Sequence, residues 1–107
     1  MIIGKKRNED EVLPRIPESI GDGSKTVTTA GTEVQLTSTV TKCFYVIITA
    51  LVTNEGTIWV GASTVASGRG VPLVALQSCR IDIDDLSKIY IDATISGEGV
   101  SFVYLAD

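Results

Sequence analysis

Cys79-Arg80-Ile81-Asp82-Ile83-Asp84, then Asp85-Leu86-Ser87, then Lys88-Ile89-Tyr90-Ile91-Asp92-Ala93-Thr94-Ile95 is the stretch that decides the fold class. In its first part Cys79, Ile81 and Ile83 hold the odd positions and charged residues the even ones. In its last part Ile89, Ile91, Ala93 and Ile95 again share one parity. A period of two sends alternate side chains to opposite faces of a strand, so each segment predicts a half-buried strand, with a short turn over 85–87.

The same grammar extends outward. Gly97-Glu98-Gly99 predicts a hairpin turn into Val100-Ser101-Phe102-Val103-Tyr104-Leu105. Residues 43–53 form the strongest strand, with Phe44, Val46, Ile48, Ala50 and Val52 on one face and Tyr45, Ile47, Thr49 and Leu51 on the other. Both faces are apolar, which predicts a central strand covered on both sides or engaged in a subunit contact. Asn54-Glu55-Gly56 reads as a hairpin turn into Thr57-Ile58-Trp59-Val60-Gly61. Ser67-Gly68-Arg69-Gly70 reads as a turn or loop before 71–76, which is either an edge strand or an extended crossing, and 25–29 and 33–37 read as two further strands. Seven or eight short strands separated by turns predict an all-β antiparallel sandwich or jelly roll.

Composition agrees. Val, Ile and Thr number 12 each in 107 residues, and such β-branched side chains suit a pleated sheet. The length suffices for one domain. There is no histidine, which removes histidine-based triads and most catalytic zinc arrangements. A net charge of −4 argues against a nucleic-acid partner. The longest apolar run, within 43–52, is too short for a helical membrane span. Met1-Ile2-Ile3 meets Gly4-Lys5-Lys6-Arg7 with no apolar core behind a basic start, so no secretory signal is expected. Cys43 and Cys79 are then expected to be reduced and buried as small hydrophobes.

Charge density divides the chain. Residues 1–24 hold nine charged groups and Pro14 and Pro17, which predicts an extended N-terminal arm. Gly21-Asp22-Gly23-Ser24 reads as a flexible joint to a sandwich domain over 25–107. Ile2, Ile3, Val12, Leu13, Ile16 and Ile20 lie along the arm without a helical or strand period, and are expected to anchor it on the body or on a neighbouring subunit.

No catalytic constellation, metal site or cofactor site emerges. Asp82, Asp84, Asp85 and Asp92 read as a solvated strand face and not as a calcium site. Glu55 and Glu98 fall at expected hairpin tips, where side chains are solvated and poorly oriented. Trp59, Tyr45, Tyr90 and Tyr104 are the candidate aromatics for a sugar-stacking platform, and Trp59 and Tyr90 lie opposite the aliphatic faces of their strands. That placement fits a subunit contact better than a sugar-stacking platform.

Four stretches carry a resemblance: Val27-Thr28-Thr29-Ala30-Gly31-Thr32 leading into Val34-Gln35-Leu36, residues 53–61, residues 79–93, and residues 97–104. Together they resemble small virion structural proteins of tailed bacteriophages. Where such proteins often carry a Pro-Gly-Glu/Gln-Ser turn before the alternating strand, this chain has Leu76-Gln77-Ser78. The resemblance implies a non-enzymatic β-sandwich that decorates or stabilises a capsid. It further implies assembly in the host cytoplasm into the virion, with a major capsid or tail protein and further copies of itself as partners. A trimer is one form such a homo-oligomer takes. The alternative from a different class is a carbohydrate- or receptor-binding module of a tail or fibre, using Trp59 and Tyr90.

Overall fold

The computed structural model describes residues 16–107. The expected anchors Ile2, Ile3, Val12 and Leu13 lie outside the described residues. Among the described residues eight strands run in chain order: β1 (Ser19–Thr26), β2 (Val34–Gln35), β3 (Tyr45–Ala50), β4 (Ile58–Gly61), β5 (Val71–Leu73), β6 (Ser78–Ile81), β7 (Tyr90–Ala93) and β8 (Gly99–Ala106). A 3-10 turn, Leu86–Lys88, separates β6 from β7. The strands form two antiparallel sheets of four, a front sheet ordered β1-β8-β3-β6 and a back sheet ordered β2-β7-β4-β5. Their inner faces share one core, as the sandwich reading requires. Val46, Ile48, Val100 and Phe102 come from the front, and Ile58, Val60, Leu73 and Ile91 from the back.

The joint reading of residues 21–24 is corrected. Residues 19–26 form a strand paired along its whole length with β8, from Ser19 opposite Ala106 to Thr26 opposite Gly99. The expected boundary at 24/25 therefore falls inside β1, and only Lys25 and Thr26 of the expected strand at 25–29 are in it. The reason lies in β8. Tyr104 and Phe102, whose rings stack with centroids 6.3 Å apart, lie over Gly21 and Gly23. A Cβ at Gly23 would sit 2.6 Å from the Phe102 ring. Two glycines that resemble a joint are the open seats for two aromatic rings.

Both expected hairpins are corrected as well. β3 and β4 lie in different sheets, as do β7 and β8, so residues 54–56 and 97–99 are crossings between layers. Side chains tie the two crossings together. The buried Asn54 donates from Nδ2 to the Gly99 carbonyl at 2.8 Å and accepts the Gly99 N–H on Oδ1 at 3.3 Å. The Glu98 carboxylate accepts the N–H groups of Glu55 and Gly56 at 2.6 and 3.0 Å. Glu98 is thus a clasp and not a solvated tip.

Other expectations hold at coarser grain. β3 is central, and Ile89, Ile91 and Ala93 point inward, whereas Ile95 is exposed beyond the end of β7. The turn at 67–70 and the edge strand β5 are present. Cys43 and Cys79 are free thiols; Cys43 is buried, but Cys79 is only half-buried, because β6 is an edge strand with one side open. Burial raises both thiols above their ordinary value, and the charges of Asp85 and Asp84 add to the effect at Cys43. Leu76, in the turn before β6, has a φ of +71°, a left-handed conformation that disfavours a side chain.

Candidate functional site

Strand register fixes what the front sheet shows to its surroundings. On β3, Val46, Ile48 and Ala50 enter the core, so Tyr45, Ile47 and Thr49 face outward. Paired residues share a face, and the ladder therefore assembles three outward rows. One is polar: Ser24, Ser101, Thr49 and Ser78. The next reads Asp22, Val103, Ile47, Arg80 across β1, β8, β3 and β6. The third is apolar, with Ile20, Leu105 and Tyr45. Ile20 is 71% exposed and Ile47 36%, so nothing among the described residues covers the centre of this face. Ile16, another expected anchor, is also exposed. Cover on both sides of β3, one of the two expected arrangements, is thus absent among the described residues.

Arg80 closes one end of this face. Its Nε donates to Asp82 Oδ1 at 2.9 Å, and its guanidinium lies 3.8 Å from the centre of the Tyr45 ring. The hydrogen bond to Asp82 holds the guanidinium charged, above its ordinary value. Asp22, at the opposite end, is exposed, and its carboxylate makes no side-chain hydrogen bond or ion pair among the described residues.

The back sheet places Trp59 and Tyr90 on its outer face, because Ile58, Val60, Ile91 and Ala93 take the inner one. Both aromatics are half-buried, and Trp59 Nε1 is buried without a hydrogen-bond partner among the described residues. Asp92 stands directly opposite Trp59 in register. Although on the outer face, Asp92 is only 2% exposed. Its Oδ1 accepts the N–H of Gly31 at 3.0 Å and of Ala93 at 2.8 Å. Asp92 also lines an open cleft of about 480 Å³ together with Gly31, Ser67 and Thr94.

The four aspartates expected on one solvated face separate into three roles. Asp82 pairs with Arg80, and Asp84 pairs with Lys88 at 2.9 Å. Asp85 is buried and caps the 3-10 turn, accepting the N–H groups of Thr41 and Ser87 at 3.0 and 2.9 Å. Among the described residues no group of three or more metal-ligating side chains converges. The hidden signal was Asp85 immediately before Leu86-Ser87-Lys88, which is N-cap grammar.

These contacts carry a pH dependence. The Thr41 and Ser87 amides hold the Asp85 carboxyl below its ordinary 3.8, and Lys88 does the same for Asp84. A carboxyl depressed in the folded state stabilises fully above its unfolded value and loses that contribution as pH falls through the folded one. Stability measured by denaturant midpoint should therefore decline as pH drops below 3.8. Asp85→Asn keeps an acceptor for both amides but removes the charge, so its decline should be shallower. A curve parallel to that of the parent chain would contradict this account.

Compared with protein-family models, curated proteins and solved structures, the chain finds no match.

Proposed function

We propose that this chain is a non-enzymatic structural protein of a tailed-bacteriophage virion, decorating or stabilising the capsid through contacts of its sheet faces. The observation that carries the reading is the outward row of Val103 and Ile47, flanked by Leu105, Tyr45 and Ile20, on the central strands of the front sheet. Central strands that expose aliphatics on their outer side are a liability in a monomer and an asset in an assembly. Fully burying one large aliphatic contributes about 1.5–3 kcal/mol, and repetition on a lattice multiplies a modest contact into stable attachment. The resemblance drawn from the sequence supplies the kind of particle. Density-gradient purification of virions, followed by quantitative mass spectrometry, should find the chain banding with the major capsid protein at a fixed copy ratio. Its absence from purified particles would sink the proposal.

A glycan- or receptor-binding module is the second reading, and Asp92 is the observation that favours it. A buried carboxylate that lines a cleft, opposite Trp59 in register, is suited to accept a hydroxyl hydrogen bond. Binding on a glycan array that disappears in Asp92→Asn, with the melting temperature kept, would move the assignment to this reading.

A further inference from the structure

The row Asp22–Val103–Ile47–Arg80 has a property that its members lack singly. Read from β6 back to β1 it becomes cation, aliphatic, aliphatic, anion, the charge complement of itself. Rotation by a half turn about an axis parallel to the strands, between β8 and β3, lays β1 over β6 and β8 over β3 of another copy. Asp22 then meets an arginine, Val103 meets an isoleucine, and in the adjoining row Leu105 meets a tyrosine. The polar row Ser24, Ser101, Thr49, Ser78 likewise falls on hydroxyls.

We propose that the outer face of the front sheet pairs with the same face of a second copy of this chain, about a two-fold axis along its strands, with Asp22 of each copy bonded to the partner's Arg80. The inference rests on reading this face as an assembly surface. Its test uses purified protein without any particle, so failure of the dimer and failure of the virion role are separately visible.

Geometry permits the contact. Stacked sheets lie about 10 Å apart, one layer of interdigitated side chains. The outer strands stand about 7 Å from the axis, so an aligned crossing of roughly 30° shifts them by about one residue, within the reach of an arginine. In Arg80 the Nε is taken by Asp82 and one face of the guanidinium by Tyr45. The Nη groups supply the donors for a second carboxylate. An isologous contact requires a self-complementary patch, and opposed charges at its two ends set the register while the aliphatic centre supplies affinity.

Sedimentation velocity over a concentration series of the full chain tests the pairing. The parent chain should form a reversible dimer. Asp22→Arg and Arg80→Glu should each raise the dissociation constant about tenfold or more, since each sets like charges against one another. The double variant Asp22→Arg/Arg80→Glu should recover most of the affinity, because it exchanges the two ends of the row. Ile47→Asp should leave a monomer. Circular dichroism and melting temperature establish that each variant is folded; the positions altered in the charge swap are exposed. A parent chain monomeric at every concentration overturns the proposal and leaves the face to a different occupant. A trimer overturns it too, because a three-fold ring does not set a face against itself. Single variants that dimerise as tightly as the parent, or a double variant that fails to recover, also overturn it.

Discussion

Gly99→Ala should lower the unfolding free energy by about 3 kcal/mol and the melting temperature by roughly 12–24 °C. Gly99 opens β8 opposite Thr26, at the point where the strand emerges from the crossing between the sheets. A Cβ there would lie 2.2 Å from the Lys25 carbonyl oxygen and 2.8 Å from the Thr26 Cα. These are backbone atoms of β1, so no rotamer change relieves the overlap. The end of β1 has to move off β8, or Gly99 has to retreat from the Asn54 amide that it both donates to and accepts from. Either movement loosens a buried polar contact, and unmade bonds there are costly. Chemical denaturation decides the matter. A midpoint within experimental error of the parent would mean that β1 does not pack against this residue. Thr28→Ala, a shortening of an exposed side chain just beyond β1, is the neutral comparison.

How far the fold is legible depends on which interactions are local. The alternation of Cys79, Ile81 and Ile83, the turn at Leu86, and the run Ile89, Ile91, Ala93 are all visible because each residue's environment is set by its own strand. The two apolar faces of β3 declare a central strand for the same reason. Period says nothing, however, about which sheet a strand joins. Residues 54–56 and 97–99 carry turn residues that serve a hairpin and a crossing equally. What makes them crossings is Asn54 bound to Gly99 and Glu98 bound to Glu55 and Gly56, contacts across more than 40 positions. The candidate interface divides in the same way. That Trp59 and Tyr90 face away from the core follows from parity alone, whereas Tyr45, on a strand apolar on both sides, is placed outward only by the packing of the two sheets. That Asp22 and Arg80 terminate one row follows from three successive registers across four strands, and no local pattern contains it.

β1 is where local grammar and tertiary structure disagree most, and adjacent substitutions separate them. Gly23→Val should cost about 3 kcal/mol, whereas Ser24→Val should be neutral within about 0.5 kcal/mol or slightly stabilising. If 21–24 were a free joint, both would be tolerated alike, since neither side chain would meet anything. In the paired strand they point to opposite faces. Gly23 turns inward beneath Phe102, a ring only 8% exposed and held among core residues. An added Cβ at 2.6 Å from its Cζ, and two further methyls, force that ring into packed neighbours. Ser24 turns outward, exposed, opposite Ser101, where a β-branched side chain suits the pleat. The two variants have the same composition change in kind, lie one residue apart and leave the charge untouched. Gly23→Val also restricts the unfolded chain, which works in its favour, so a larger loss there reports the packing of β1 on β8, and equal midpoints would return residues 21–24 to the status of a linker.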